Sequence, residues 1–454
     1  MTKTWMTALF LLALVFTTLS AGSAEASIAP PPPAYRVYAE AEVVFVGVVT
    51  HIEGGTMHVR REAVLKGTPG ETVIVTPIFS PGCRPGTPQS PVVAIGDRVL
   101  VAAKKEAKFY RLVNHMVRDA KLNDAATEKA KVAFAKRMVQ ITALPSFDER
   151  ARTFVGLLTS KSPLLADAAA DFVLLELNTP AKAARHGKGL LAGLHTKGKY
   201  TRLWSLHALR GVAPEGGFQR IAALASGDDR SEVLAACAAV TAFDRAEAIP
   251  LVRAAAKRWK NPYLLANLGA SPLPEAFEHL RKMLKSDTEA ANDKDLRASA
   301  LRGYTLRQRT YGSTSQDVDD LLDFLRNRMR QGLGNDVRHA FGATASIVAV
   351  DGLIALVRDT GSEFTQRDAS YSALHELATS NDDPKLVRDS LARLRKAEKV
   401  FIERIDGGEE DMFLCWLLGL IHTDAARAAL VRREKRDPPD RHTDAWRALH
   451  YWDK

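Results

Sequence analysis

The chain predicts a multidomain α+β fold, a small β-barrel near the N-terminus followed by an all-α array of helical repeats. Three observations carry that prediction. Residues 35–117 hold five short runs rich in Val, Ile and Phe, separated by Gly/Pro turns, the pattern of consecutive strands. Over residues 118–454 the apolar residues recur instead at i, i+3, i+4 and i+7, the spacing of helices with one buried stripe. Similar blocks also return along that second part. WSLHALRGVAPEGGFQRIAALAS, YLLANLGASPLPEAFEHLRKML and FLCWLLGLIHTDAARAALVRR each show an apolar helix ending near a glycine, a polar turn and a second amphipathic helix.

Residues 1–26 have the form of a secretory leader. Lys3 is followed by MTALFLLALVF, and Ala24-Glu25-Ala26 offers small residues at a cleavage point. The apolar run is too short to span a bilayer comfortably, and no cysteine follows it to carry a lipid. A cleaved leader and an extracytoplasmic (secreted or periplasmic) mature chain without a transmembrane segment are expected. Residues 27–34 contain Pro30 to Pro33 in succession and predict a stiff, extended spacer.

The five strand-like runs are EVVFVGVVT, HVRREAVLKG, TVIVTPIF, DRVLVAAKK and KFYRLV, with turns at Gly54-Gly55, Gly67-Thr68-Pro69-Gly70 and Pro81-Gly82. A sheet of so few strands removes its open edges by closing on itself, which predicts a small barrel of the OB type. The order VVFVGVVT, AVLKG, VIV, GC and IGDRVLV resembles the OB-fold domain shared by netrin C-terminal modules and tissue inhibitors of metalloproteinases. In those inhibitors an N-terminal cysteine chelates the zinc of the target. Here Ser27 follows the expected cut, and only Cys83 matches a cysteine of the pattern. The resemblance therefore implies the fold and not the inhibitory mechanism.

The helical part is organised around Ser231–Leu284, read as four consecutive helices: SEVLAACAAVTAF, AEAIPLVRAAAKRW, YLLANLG and PEAFEHLRKML. Val233, Leu234, Cys237, Val240 and Thr241 share one face of the first, and Phe277, Leu280, Met283 and Leu284 one face of the last. Helices of about three turns are marginal alone in water, so each stripe must be covered by a neighbour. Leu209, Val240 and Leu268 read as equivalent positions roughly 30 residues apart. This design resembles HEAT-like α-solenoid repeats. The stretch from Lys285 to Ser315 fits no clean unit, and a non-repeating helical bundle is the alternative.

Ahead of that stretch, TEKAKVAFAKRMVQITAL places Val132, Phe134, Met138 and Ile141 among lysines, an amphipathic helix. The most basic window follows. Lys182, Arg185, Lys188, Lys197, Lys199 and Arg202 lie in it with no acid among them. They form a candidate anion-binding patch, with Tyr200 available for stacking; the alternative is a set of solvated cations at helix C-termini. Between Ser315 and Gly332, Ser315 reads as a cap, Asp317, Asp319, Asp320 and Asp323 as the acidic start of a helix, Arg326, Arg328 and Arg330 as its basic end, and Gly332 as its stop. Trp446 and Trp452 are expected to close the last core.

Composition limits function without selecting it. Hydrophobic residues make up 46%, enough for a sizeable core. The net charge of +10 is spread over 63 basic and 53 acidic residues, which attracts anionic partners without choosing one. Cys237 and Cys415 fall on apolar helix faces, and Cys83 lies in a Pro/Gly loop, so neither a disulfide framework nor a C-x-x-C site is written in. No H-E-x-x-H, G-x-S-x-G, Walker loop or G-x-G-x-x-G occurs. His207 reads as a core histidine, and Glu409-Glu410 and Asp382-Asp383 as helix-start acids. No catalytic residue, metal ligand or cofactor is assigned. The expected function is a non-enzymatic extracytoplasmic binding scaffold whose helical array engages a protein or peptide. The alternatives are an envelope enzyme or protease inhibitor with its site at the barrel–array junction, and a binder of acidic polymers. Because Ser27 stands where the chelating cysteine would be, mature protein is expected to leave a metalloproteinase fully active in an inhibition assay; stoichiometric inhibition would overturn that reading.

Overall fold

All five strand-like runs form strands, and the sheet closes. The computed structural model describes residues 33–53, 56–76, 93–106, 109–113, 122, 124–285, 294–329, 331–379, 383–409, 411–436 and 443–452. The leader, nearly all of the proline spacer, Cys83, the turns at Gly54-Gly55 and Pro81-Gly82, Arg330, Asp382 and Glu410 lie outside them. β1 (Val43–Glu53), β2 (Thr56–Lys66), β3 (Thr72–Thr76), β4 (Arg98–Glu106) and β5 (Phe109–Leu112) make a closed barrel in the order β1-β2-β3-β5-β4. β1 pairs with both β2 and β4, and β3 and β5 run parallel while the other pairs are antiparallel. This small closed five-stranded barrel fits the OB type. Val43, Phe45, Val49, Met57, Val59, Val73, Val99 and Val101 alternate into its core. Gly47 sits at a register shift in β1, where any Cβ would collide with the Arg60 carbonyl and a Val59 methyl. The bare Cα lets β1 bend between its two neighbours.

The barrel lies between two helices that belong together. α1 (Ala34–Glu40) precedes it and α2 (Ala125–Thr142) follows it, and the two pack on each other. The sequence reading has no element at α1. Asp124 caps α2 by accepting from the amides of Ala126 and Thr127, and a Ser146–Glu149 capping box starts α3 (Phe147–Leu157). The ring of Tyr35 on α1 wedges edge-on against Phe154 of α3 at 5.6 Å and Phe172 of α4 (Pro163–Glu176) at 5.3 Å. Its hydroxyl donates to Glu176 Oε1 at 2.8 Å, and Arg36 Nη2 reaches the same oxygen at 2.9 Å. The chain divides into two compact units, residues 1–217 and 218–454. The first therefore holds the barrel together with α1 to α4, α5 (Pro180–Ala184), α6 (Gly187–Gly193) and α7 (Lys199–Ala208).

In the second unit consecutive elements pack in pairs. These are α8 (Phe218–Ala225) with α9 (Arg230–Val240), α10 (Ala248–Arg258) with the 3-10 helix Pro262–Ala270, α11 (Pro274–Lys285) with α12 (Lys294–Tyr311), α13 (Ser315–Arg328) with α14 (Gly334–Thr344), α15 (Ile347–Arg358) with α16 (Phe364–Thr379), α17 (Pro384–Asp406) with α18 (Met412–Ile421), and α19 (Asp424–Glu434) with α20 (Asp444–Trp452). First members stack in one row, from α11 through α13, α15 and α17 to α19. Second members stack in another, from the 3-10 helix through α12, α14, α16 and α18 to α20. Each pair touches mainly its neighbours, the two-layer logic of a helical-repeat array. Cys237 and Cys415 are buried free thiols within it, as expected. No helix among the described residues is long and apolar enough to cross a membrane.

Three local expectations are corrected. YLLANLG winds as a 3-10 helix instead of an α-helix; the tighter winding carries Gly269 against the backbone of Gly303, where no Cβ would fit. The cap of α13 is Thr314, reciprocally bonded with Asp317, and Ser315 is the first helical residue. That helix ends at Arg328, before Gly332, which adopts φ 83° in the following turn. Within the stretch that fitted no unit, α12 packs like any other second-row helix, but Arg297, Ser299 and Gln308 are among its buried positions.

Truncating the wedge should be costly. Tyr35→Ala is expected to destabilise the first unit by about 3–5 kcal/mol and Tyr35→Phe by about 1 kcal/mol, read as urea midpoints. Amide exchange in α1 should rise with the same ranking.

Candidate functional site

Polar and aromatic side chains on neighbouring second-row helices meet from one pair to the next and together form a strip. It starts at Tyr263, 38% exposed, on the 3-10 helix. The Tyr263 hydroxyl donates to Asp295 Oδ1 on α12 at 2.9 Å, and the Arg302 guanidinium lies over the Tyr263 ring at 4.4 Å. Arg302 Nε pairs with Asp336 Oδ1 on α14 at 2.8 Å. From α14, Arg338 and His339 both face Glu376 on α16, at 3.8 Å and 4.0 Å. The Arg338 guanidinium also stands over Phe413 of α18 at 5.8 Å. His375 of α16 completes the strip against Phe413 at 5.7 Å and Trp416 at 5.3 Å. At the last pair, Trp452 stacks on His422 at 4.3 Å.

Burial holds His339 below its ordinary value, and Arg338 lowers it further against the opposing pull of Glu376. Burial likewise lowers His375. Both imidazoles are therefore neutral near pH 7, and the strip alternates Arg, carboxylate, neutral imidazole and aromatic ring. Such surfaces bind by stacking, cation–π contact and charge-assisted hydrogen bonds. Among the described residues no group of three or more His, Cys, Asp or Glu side chains is placed to hold a metal ion.

The strip is not legible in any local stretch of the sequence. A signal for it exists: Arg302, Arg338, His375 and Phe413 follow one another 36, 37 and 38 residues apart, the nearly constant spacing of a helical-repeat array. Without knowing which helices form the second row, no one face could be chosen. The basic window Lys182–Arg202 is divided among separate jobs in the first unit. Lys182 stands over the Phe147 ring at 5.5 Å, and Arg185 pairs with Asp148 at 3.2 Å. Arg202 donates to the carbonyls of Thr196 and Lys197, each at 2.9 Å, and so ties down the turn before its own helix. Lys197 and Lys199 are exposed, while Lys188 lines a cleft with Arg185. Tyr200 is committed to Asp171 at 2.6 Å and to the edge of Trp204 at 5.7 Å. His207 packs half-buried against Trp204, and burial pushes it down to about 4.

Acids at the starts of second-row helices form a second feature. Glu409, read as a helix-start acid, is instead the partner of Arg367 at 2.9 Å across the pair boundary, and both are nearly buried. Asp411 caps α18 by accepting from the Leu414 amide at 2.9 Å. Burial, then a hydrogen bond to Asp368, push its carboxyl up to about 8. The Tyr371 hydroxyl is buried nearby, without a hydrogen-bond partner among the described residues. No protein-family model and no characterised protein matches the sequence.

The raised carboxyl has a testable sign. Asp411 is protonated in the fold and ionised in the unfolded chain near pH 7, so its contribution is complete below the ordinary Asp value of about 3.9 and is lost as pH rises through about 8. Stability should fall across that window by at most about 1.4 kcal/mol per pH unit from this group. Asp411→Asn keeps an N-cap oxygen and should flatten the profile between about pH 4 and pH 8 in urea unfolding. A variant retaining the full slope would assign it to another group.

Proposed function

We propose that the chain is a non-enzymatic extracytoplasmic binding scaffold that engages a protein or peptide partner through its helical array. The observation that carries this reading is the strip from Tyr263 to Trp416 on the second-row helices. Its composition, Tyr, Trp, Phe, Arg and His with paired carboxylates, matches the residue types that dominate binding energy at protein interfaces. Its charged groups are two arginines, Arg302 and Arg338, and three carboxylates, Asp295, Asp336 and Glu376, so it favours a partner with mixed charge and aromatic side chains over a polyanion. We further read the array as HEAT-like and the barrel as related to netrin-type OB domains, on the residue patterns of each. The extracytoplasmic assignment rests on Lys3, the apolar run after it and Ala24-Glu25-Ala26.

A photo-crosslinking residue placed at Phe413 or Tyr263 in the full-length chain is expected to capture a discrete protein adduct in the native cell envelope. The same residue at Asp319, exposed on first-row α13, should not. Phe413→Ala combined with Arg338→Ala should abolish the adduct formed from position 263. Equal capture from Asp319 would remove the second row from the interaction.

A further inference from the structure

A cleft of about 320 Å³ opens between α3 and the α5–α6 region of the first unit. One wall is Arg152, Val155 and Gly156 of α3; the other is Arg185, His186, Lys188 and Gly189. Three of its side chains are permanent cations, and Asp148 is the one carboxylate among the lining residues. That carboxylate is already held by Arg185 at 3.2 Å. Among the described residues neither Arg152 nor Lys188 has a carboxylate or hydrogen-bond partner. The His186 ring nitrogen Nε2 is buried and likewise unpaired. Arg152, Arg185 and Lys188 are exposed around this one concavity, with a single lining carboxylate, Asp148, between the three of them.

Two glycines line the cleft, one from each wall. Gly156 is the penultimate residue of α3, and a Cβ there would meet nothing within 4 Å. No neighbour requires a glycine at that position, and glycine weakens a helix through its backbone entropy. What it leaves is the open space of the cleft. Gly189 is the opposite case: a side chain there would strike the Val155 methyl, so its absence lets α6 come close to α3. The result is a narrow slot, apolar along Val155 and the two glycines, with positive charge at its mouth.

We infer that this cleft binds a small soluble phosphate monoester, its phosphate held by Arg152 and Lys188 with Arg185 shared between it and Asp148, and its organic part over Gly156. Guanidinium forks match the oxygen geometry of a phosphate, and an ammonium adds a point charge. A cleft of this size suits a small molecule. The site is separate from the second-row strip and does not depend on it.

Calorimetric titration of the full chain with inorganic phosphate at physiological salt tests the inference. One saturable site is expected. Arg152→Gln and Lys188→Gln should each weaken it by about tenfold, the effect of one lost charge-assisted hydrogen bond. Gly156→Leu should fold normally, since its side chain enters open space, and should abolish binding by filling the slot. Lys197→Gln and Lys199→Gln, from the same basic window but outside the cleft, should change nothing. In an NMR titration the His186 imidazole should become more basic when phosphate is bound. The inference is overturned if binding does not saturate, if the 197 and 199 variants lose as much as the 152 and 188 variants, or if Gly156→Leu binds like the wild type.

Discussion

A helix of three turns with one apolar face cannot hide that face by itself. Most helices of the second unit are of this length and are bound by this constraint; α12 and α17, at 18 and 23 residues, are the longest. Burying a large aliphatic side chain contributes roughly 1.5–3 kcal/mol, and the core of α9 alone includes Val233, Cys237 and Val240. Those contributions exist only when the neighbouring pair is present. The two rows follow directly, because a helix can cover its partner in the pair and its counterparts in adjacent pairs, and little else. The same constraint acts on α1. Seven residues long, it holds its place through Tyr35 and Arg36, which anchor it on α3 and α4. The barrel is thereby an insertion between two helices already committed to each other.

Buried charge supplies what apolar stripes lack, a fixed register. Asp320 is 2% exposed and accepts from Arg281 at 2.6 Å, Lys285 at 2.6 Å, Gln316 at 3.0 Å and Tyr304 at 3.1 Å. Burial alone would raise its carboxyl; the donors outweigh that and hold it below the usual value. Those donors come from α11, α12 and α13, so sliding any of the three would strand an ionised group in the core, which is far costlier than losing an apolar contact. Arg367 and Glu409 do the same between α16 and the start of α18. Asp411 takes the other solution and keeps its proton.

These polar pegs explain where the sequence was opaque. Apolar periodicity located most of the helices, including α11, whose Phe277, Leu280 and Leu284 are all buried. It failed at α12 because part of that helix's buried face is polar: Arg297, Ser299 and Gln308 look like surface residues until their surroundings are known. The aspartates of α13 were legible as complements to the helix dipole, yet Asp320 faces inward. The basic window was legible as a run of cations, but its members turn to different tasks once helices α3, α5, α6 and α7 are folded. Arg185 meets Asp148, from far upstream in the chain, and Arg202 meets carbonyls of its own turn. Only Arg185 and Lys188 reach the cleft.

What the sequence determined by itself was the order of element types. Strand-period runs in residues 35–117 became the barrel, and helix-period runs beyond became paired helices. Both periodicities are local properties, set by how Cβ atoms alternate along a strand or spiral around a helix. Only the tertiary structure decided which helix faces stand side by side. Tyr263, Arg302, Arg338, Phe413 and Trp416 became one strip, and Arg152 and Lys188 one cleft. Such groupings join residues distant in the chain through packing, and no local pattern encodes the neighbour a side chain will meet after the array has stacked.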